Sequence, residues 1–294
     1  MKTIVIFGGS GFIGSYIVRR LAKLGFRIIV PTSNLQNTLK LKLYGDVGQI
    51  IGIKLNLLNK LKISKILHNA DCVINLRTIW SENKKITFER SIYNFNKTIV
   101  DLVSELKIKQ YIFFSGVGVS LKSSSKRIIS IANSEEYIKK KLINYSILRP
   151  SIVIGNGDKF IEKLNPIFKY SFFIPLFGKG TSKIQPIYVD DVAKVVERLV
   201  LDNNLKSNIY ELGGNKILSY KDLYKFIIKE LNINRITVSI PFTIARILVF
   251  FMEKLSINLI NQEQLLLLKV DNIVDPKSAK IQDLNIQVKD TDLV

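Results

Sequence analysis

The sequence predicts an α/β protein: a doubly wound parallel sheet with a smaller lobe toward the C-terminus. Through the first half of the chain, apolar β-branched segments alternate with segments of helical periodicity. This alternation is typical of parallel strands joined by crossover helices. The first strand-like segment, residues 3–7, leads directly into a glycine-rich turn and a helix, as in the Rossmann fold. The 294 residues, 47% of them hydrophobic, suffice to bury such a core.

The glycine-rich turn predicts a phosphate-binding site. Its glycines lie three residues apart. The first permits a sharp turn, the second lets backbone N–H groups approach a pyrophosphate, and the third lets the helix pack closely on the strand. The alternative is a glycine-rich turn that binds no ligand. The predicted contacts in this segment are Gly8, Ser10, Gly11, Phe12, Ile13 and Gly14.

Further ligand contacts are expected at the carboxyl ends of later strands, because ligands of open parallel sheets bind there. These strands are predicted at residues 27–31, 49–55, 71–76, 110–114 and 145–149, with a helix over 91–106. The predicted contacts at and beyond their ends are Ser33, Asn56, Leu57, Leu76, Ser115 and Pro150, with Asn56 and Leu57 at the adenine position.

The end of the second strand bears on the identity of the cofactor. An acidic residue there holds the ribose 2′-hydroxyl of NAD, and an arginine accommodates the 2′-phosphate of NADP. Residues 31–34, Pro-Thr-Ser-Asn, contain neither. The missing acid favours NADP(H) over NAD(H), with Ser33 and Lys40 near the phosphate.

The dinucleotide-binding domain is expected to span residues 1–155, with 184–214 returning to it, and the smaller lobe, for substrate or docking, to comprise 156–183 and 215–294. Asp190 or Asp191 is expected to cap the helix that runs to residue 201. Ser219 is expected to cap the next helix, with Asp222 at its third position.

The single cysteine and single histidine argue against several kinds of site. Cys72 lies in an apolar strand-like segment and is interpreted as a buried structural thiol; one cysteine forms no internal disulfide and fits a reducing cytoplasm. His68 has no histidine or cysteine nearby in the sequence, so neither a metal site nor a histidine-based triad is predicted. The chain begins with a strand rather than a leader sequence, and no apolar segment approaches the roughly 20 residues that span a bilayer.

The net charge of +20 has three interpretations: compositional drift in an AT-rich coding sequence, attraction to an anionic membrane or protein surface, and nucleic-acid binding. The last is disfavoured because the lysines are scattered and no basic–aromatic binding motif is present. The most hydrophobic segment, 240–255, is predicted to be a helix with apolar residues around most of its circumference. It is either buried between lobe and sheet or docks on an anionic membrane surface or a partner subunit.

Several motifs together resemble the extended and atypical short-chain dehydrogenase/reductases: the glycine turn, Arg149-Pro150 followed by Gly155, and residues 188–193. The likeness narrows to one atypical branch, the nucleotide-binding accessory subunits of respiratory complex I and their alphaproteobacterial relatives. This resemblance implies an NAD-dependent epimerase/dehydratase-like fold, complex I subunits as partners, and a cytoplasmic, peripheral location on the inner face of the cell membrane. The segments that narrow it are 29–31, 45–49, 185–189 and 264–274.

The chain departs from the catalytic members of this superfamily. They use a tyrosine and a lysine four residues apart on the helix after the fifth strand, so that both lie on one helical face. The matching positions hold Arg127 and Ile131, while Glu135 matches the acid that follows. The resemblance therefore implies a non-catalytic or vestigial NAD(P)(H)-binding subunit without catalytic residues. The alternatives are an active epimerase or reductase on a nucleotide sugar or other carbonyl substrate, with Tyr137 (four before Lys141) as its acid, and a redox-sensing or scaffold protein that regulates its partners.

Overall fold

The apolar segments of the sequence form the strands of a wide parallel sheet and three small strand pairs. The computed structural model describes residues 1–56, 59–158, 167–202, 207–255 and 260–289. The strands in these ranges are β1 (Thr3–Phe7), β2 (Arg27–Thr32), β3 (Ile50–Lys54), β4 (Cys72–Asn75), β5 (Gln110–Phe114), β6 (Tyr145–Pro150), β7 (Val153–Ile154), β8 (Phe173–Phe177), β9 (Lys183–Ile184), β10 (Ile187–Tyr188), β11 (Asn208–Leu212), β12 (Leu218–Ser219), β13 (Ile236–Ile240) and β14 (Ala279–Lys280).

The helices connect these strands and cover the sheet. Three 3₁₀ turns lie at Leu35–Thr38, Lys40–Tyr44 and Ile281–Leu284. A π-helical turn, Glu89–Asn94, precedes α3, so the helix predicted at 91–106 begins irregularly. The α-helices in the described ranges are α1 (Phe12–Lys23), α2 (Lys60–Leu67), α3 (Phe95–Glu105), α4 (Lys126–Lys141), α5 (Val189–Leu201), α6 (Tyr220–Glu230), α7 (Phe242–Lys254) and α8 (Gln262–Leu267).

The main sheet has the doubly wound topology that the sequence predicts. Its strand order is β14-β11-β6-β5-β4-β1-β2-β3, and every neighbouring pair is parallel. The chain moves outward from β1 through β2 to β3 and then returns to the other side of β1 with β4. Because the connections on the two sides of β1 leave in opposite directions, a crevice opens beyond the carboxyl end of β1.

Alternating side chains of the strands point into two separate cores, as the period of a β-strand requires. Ile4 and Ile6 of β1 pack with α1 and α5 on one face. Val5 and Phe7 pack with α2, α3 and α4 on the other. Cys72 is buried in β4, as the sequence predicts, and burial raises the pKa of its thiol. Helices therefore cover both faces of the sheet.

The smaller elements pack around two satellite clusters. Phe168 and Leu176 pack with residues of α6 in the first, and Ala245 and Val249 of α7 pack with Leu265 of α8 in the second. α6 begins with a capping box formed by Ser219 and Asp222, which confirms the predicted cap. The short strand β14 joins the edge of the main sheet beside β11, although it lies close to the end of the chain.

The predicted cap of α5 is wrong. The helix begins after Tyr188, which makes no side-chain capping hydrogen bond, so Asp190 and Asp191 lie inside the first turn. Both carboxylates have tertiary partners instead. Asp190 forms an ion pair with Arg20 of α1 at 3.0 Å, and Asp191, fully buried, pairs with Lys194 at 2.6 Å and accepts a hydrogen bond from the Lys289 backbone N–H. Their negative charges still stabilise the helix N-terminus.

Candidate dinucleotide-binding site

The glycine turn lies at the switch point of the sheet. Gly8 follows β1 with φ of +84°, a backbone conformation that favours glycine. The Gly11 N–H donates to the Gly8 carbonyl at 3.0 Å and closes the turn. Gly11 is the N-cap of α1 and has no side chain to satisfy the first N–H groups of the helix. With no acidic residue in the first turn of α1, this helix end is suited to an anion.

Gly14 brings α1 against the turn at a distance that no other residue allows. A Cβ atom there would lie 2.3 Å from the Gly8 carbonyl oxygen and 2.7 Å from the Gly9 Cα. A Cβ on Gly8 would lie 3.3 Å from Leu76, the first residue after β4. The third glycine of the motif therefore has the close helix–strand approach that its position in the sequence predicts.

Phe12, another predicted contact in this turn, lies beside the segment beyond β6, near Gly155 and Gly157. Phe12 stacks edge to face with Tyr16, with ring centroids 6.0 Å apart. The Tyr16 hydroxyl donates to the Asn156 carbonyl at 3.1 Å. Ser10 and Ile13 lie at the start of α1, half-buried. The N-terminus of α1 is thereby attached to the segment after the sixth strand of the chain.

A cleft over the ends of three strands brings Gly8 and Ser33 together. Its free volume is about 30 Å³, room for roughly two waters. Lys40 does not line it and lies in an exposed 3₁₀ turn. Asn56 lines a separate, open concavity with Asn59 and Lys60, and Leu57 lies outside the described residues. The residues lining the cleft are Phe7, Gly8, Pro31, Thr32, Ser33, Leu55 and Arg77.

Arg77 is the charged residue that lines this cleft, and it is not among the contacts predicted from the sequence. The sequence rule for NADP concerns an arginine at the end of the second strand, whereas Arg77 follows the fourth. Its position two residues beyond an apolar strand, next to the predicted contact Leu76, is the signal that could have identified it.

Arg127, which the sequence analysis matches to the superfamily's catalytic tyrosine, is buried. Arg127, near the start of α4, donates from Nε to the Ile79 carbonyl and from a terminal nitrogen to Thr78 Oγ1, both at 3.0 Å. Its guanidinium carbon lies 3.9 Å from the Trp80 ring centroid. Burial lowers the pKa of Arg127 to about 10, partly opposed by Glu263. Ile131, one turn along the same face, is also buried.

Ser115 and Glu135 belong to a buried ionic network rather than to an open site. Arg149 of β6 forms a bidentate pair with Glu135 at 2.9 and 2.5 Å and contacts Glu211 of β11 at 3.3 Å. The hydrogen bond to Glu135, against the opposing effect of burial, raises the pKa of Arg149. The Ser115 hydroxyl donates to the same Glu135 carboxylate. Pro150, the last residue of β6, accepts a hydrogen bond from the Val117 N–H at 3.2 Å.

Tyr137 is hydrogen-bonded to a different helix. Its hydroxyl donates to Asp101 of α3 at 2.6 Å, and Lys97 lies 5.0 Å from its ring centroid. Burial and the Asp101 carboxylate raise the pKa of Tyr137, so it stays protonated at neutral pH. It lies ten residues after Arg127 on α4, about 15 Å along a helix axis. At this distance the Tyr137 hydroxyl is too far from Arg127 to exchange a proton with a ligand bound beside Arg127.

The sheet topology and the glycine turn define a Rossmann-fold protein with a phosphate-binding type of turn. The chain belongs to the NAD dependent epimerase/dehydratase family, whose model matches residues 4–213. It is 31% identical to "NADH dehydrogenase [ubiquinone] 1 alpha subcomplex subunit 9, mitochondrial" of Arabidopsis thaliana, across 96% of this chain and 73% of that protein. It is 25% identical to the "NADH-ubiquinone oxidoreductase 40 kDa subunit, mitochondrial" of Neurospora crassa, across 98% and 76%.

Among solved structures, the fold is similar to dTDP-glucose 4,6-dehydratase of Bacillus anthracis, described as a complex with NAD. The TM-score is 0.70 at 18% identity, across 82% of this chain and 85% of that one. At this identity the likeness concerns the fold. The two mitochondrial relatives confirm the narrower resemblance that the sequence motifs predict.

Proposed function

We propose that this chain is a non-catalytic or vestigial NAD(P)(H)-binding subunit of respiratory complex I, the NADH:quinone oxidoreductase. One observation carries the proposal: an anion-suited glycine turn coexists with a buried Arg127 at the tyrosine position. The guanidinium donates to protein groups and stacks on Trp80. With a pKa of about 10 it stays protonated at neutral pH, so it cannot act as a base there, and two of its donors are engaged by protein acceptors. The two mitochondrial relatives are complex I subunits by name, and they supply the proposed partner.

The nucleotide is proposed to be a structural ligand, NADP(H) rather than NAD(H). A fold neighbour described as an NAD complex supports a nicotinamide dinucleotide, and the lack of an acid at the end of β2 favours the phosphorylated form. The contacts proposed are those named from the sequence, at residues 8, 10–14, 33, 56, 57, 76, 115 and 150. Ser115, whose hydroxyl hydrogen is donated to Glu135, would offer the ligand only the acceptor lone pairs of its oxygen.

The proposed subunit role divides the chain into a nucleotide-binding part and a docking lobe. Residues 1–155 with 184–214 would bind the nucleotide, and residues 156–183 with 215–294 would form the docking lobe. The satellite clusters around α6 and α7 support a separate role for most of the second part, since neither shares residues with the cores of the main sheet. Its last elements differ, because β14 pairs with β11 and Ile281 and Leu284 lie in a core of the main sheet.

The apolar face of α7 is proposed to dock on an anionic membrane surface beside the complex. Only Ala245 and Val249 of this helix are buried. The basic side chains Arg246 and Lys254 lie on the same exposed helix, and the Lys254 ammonium lies 4.7 Å from the Phe250 ring centroid. Exposed apolar residues beside lysine and arginine suit the interface of an anionic bilayer. The exposed apolar residues of α7 and its end are Ile244, Ile247, Leu248, Phe250, Phe251 and Leu255.

This docking would place the chain at the cytoplasmic, inner face of the cell membrane as a peripheral subunit. None of the described helices combines the length and the apolar character of a membrane span. The basic balance of the chain, 44 lysines and arginines against 24 acids, supports attraction to anionic headgroups.

Isolation of the native chain from its own membranes tests the proposed subunit role. We expect complex I subunits to co-purify, and denaturation to release NADP(H), identified by mass spectrometry. A lone chain without nucleotide would contradict the proposal. Substrate-dependent change in nicotinamide absorbance, measured with nucleotide sugars, would instead favour the epimerase or reductase alternative.

Vesicle sedimentation tests the docking surface independently. We expect the chain to bind vesicles containing phosphatidylglycerol more tightly than vesicles of phosphatidylcholine alone. Phe250→Glu with Phe251→Glu should abolish this binding. Ile143→Glu with Val47→Glu is the matched control, because it adds the same two negative charges at exposed apolar side chains outside α7. Equal loss in both variants would assign the binding to net charge and contradict docking through α7.

A further inference from the structure

Arg77 has an unsatisfied donor at the edge of the glycine turn. Its Nε is buried and, among the described residues, has no hydrogen-bond partner. The backbone N–H of Arg77 is held by Asn75 Oδ1 at 3.1 Å, and its guanidinium carbon lies 5.1 Å from the Phe95 ring centroid. An unmade hydrogen bond to a charged donor is costly. A ligand that accepts from Nε would remove this cost.

The surroundings of Arg77 suit an anion. The cleft that it lines contains no acidic residue and includes Ser33, whose side chain is exposed. Burial lowers the pKa of Arg77 to about 10, which leaves it charged at neutral pH. The free volume of the cleft, about 30 Å³, has room for roughly two waters and hence for a small group rather than a nucleoside.

The cleft lies where the ribose of a bound dinucleotide would be selected. It spans the end of β2, at Pro31 and Thr32, and reaches Gly8 of the glycine turn. In Rossmann folds the end of the second strand faces the ribose 2′-position. In this chain the cation beside the end of β2 is Arg77, which follows the fourth strand. An arginine fork binds phosphate oxygens in two directions, which a lysine cannot do.

We infer that Arg77 binds the 2′-phosphate of the nucleotide, with the Ser33 hydroxyl as a second donor, and so selects NADP(H) over NAD(H). The inference rests on the proposed function, since it requires a dinucleotide in the crevice. It assigns selectivity to a residue beyond β4 rather than to the end of β2.

Calorimetric titration of the full chain with NADPH and NADH tests the role of Arg77. We expect wild-type chain to bind NADPH at least tenfold more tightly than NADH. Arg77→Met should weaken NADPH binding by about 10- to 100-fold and change NADH binding by less than about threefold. Arg77→Lys should recover part of the NADPH affinity. Arg90→Met is the matched control, because Arg90 is an exposed arginine on the turn before α3.

Each contrary result has a separate meaning. An equal loss of NADPH and NADH affinity in Arg77→Met would place the arginine at the pyrophosphate and overturn the inference. Unchanged NADPH affinity would overturn it as well. Failure of the wild-type chain to bind either nucleotide would reject nucleotide binding itself. If Arg77→Met does not fold, the wild-type chain still provides a test: adenosine 2′,5′-bisphosphate must bind more tightly than adenosine 5′-monophosphate, which differs only in lacking the 2′-phosphate, and equal binding of the two overturns the inference.

Discussion

Gly14 is the position in the phosphate-binding turn where a single methyl group has a definite consequence. A Cβ there would lie 2.3 Å from the Gly8 oxygen and 2.7 Å from the Gly9 Cα, both backbone atoms that cannot rotate away. We expect Gly14→Ala to lower the free energy of unfolding by about 1–3 kcal/mol, despite the better helix propensity of alanine, and to weaken nucleotide binding. Urea unfolding and calorimetric titration measure the two effects.

Gly116→Ala is the control for this substitution. The nearest atoms to a Cβ at Gly116 lie 4.0 Å away, so its free energy of unfolding should change by less than about 0.5 kcal/mol. An equally small effect of Gly14→Ala would mean that the turn accommodates the methyl group by a backbone shift.

Arg127 is expected to stabilise the loop of residues 78–80. Its guanidinium makes two hydrogen bonds to residues 78–79 and stacks on Trp80. We expect Arg127→Ala to lower the free energy of unfolding by about 2–4 kcal/mol, because a buried contact is lost and its acceptors are left unpaired. Arg127→Lys should recover only part of the loss, because lysine keeps the positive charge but lacks the planar guanidinium that makes the two hydrogen bonds.

Arg90→Ala provides the comparison at an exposed arginine, where a change of less than about 0.5 kcal/mol is expected. The measurement is urea unfolding followed by circular dichroism. If Arg127→Ala were as mild as Arg90→Ala, the guanidinium would not be a structural replacement for the catalytic tyrosine.

The residues of the candidate site were predictable from the sequence where a local motif fixes their spacing, and not where distant strands bring them together. The glycine motif is local, so its turn and its close packing follow from the sequence. The surroundings of Arg77 were not predictable, because its cleft is formed by strands that are distant in the chain. The same holds for Arg127, whose partners lie 48 and 49 residues earlier.

At the scale of elements, an ion pair joins α1 to α5. Arg20 contacts Asp190 at 3.0 Å and Glu197 at 2.6 Å. Burial alone would raise the pKa of Asp190, but hydrogen bonding to Arg20 outweighs it and holds the pKa below its usual value. The stabilisation is therefore present above the ordinary aspartate pKa of about 4 and is lost as the pH falls through the depressed value.

We expect Asp190→Asn to lower the free energy of unfolding at pH 7 by about 1 kcal/mol or less, because both side chains are partly exposed. The difference from wild type should shrink as the pH is lowered from 4 toward 3. Urea unfolding at a series of pH values measures it. Glu136→Gln, in an exposed pair with Lys139, is the control with little effect. A difference that stays constant with pH would exclude the ion pair as its cause.

Elements with a strong local pattern were predicted closely, and those fixed by tertiary contacts were not. The fifth strand, 110–114, matches the prediction, and the Ser219 cap forms because its partner Asp222 is three residues away. The predicted side-chain cap of α5 does not form, because Asp190 is bound by Arg20 of another helix. The two-residue strand β14 was not predicted, since its pairing with β11 depends on residues some 70 positions earlier.

At the scale of the whole molecule, a tightly held dinucleotide should stabilise the fold by mass action. The crevice lies between the two halves of the main sheet, so a ligand there contacts strands from both sides of β1. A ligand that binds only the native state at a hundredfold excess over its dissociation constant stabilises by about 2.7 kcal/mol. At about 2–4 °C per kcal/mol, this is a rise in melting temperature of roughly 5–10 °C.

Gly11→Val makes this prediction specific to the phosphate site. A Cβ at Gly11 meets only the Gly8 oxygen, at 3.2 Å, but a valine side chain would cover the N–H groups at the start of α1. We expect the unliganded variant to melt within a few degrees of wild type and to lose the rise caused by NADPH, as followed by differential scanning calorimetry. An undiminished rise in Gly11→Val would place the nucleotide away from the turn, since only a ligand in contact with that helix end is displaced by the added side chain.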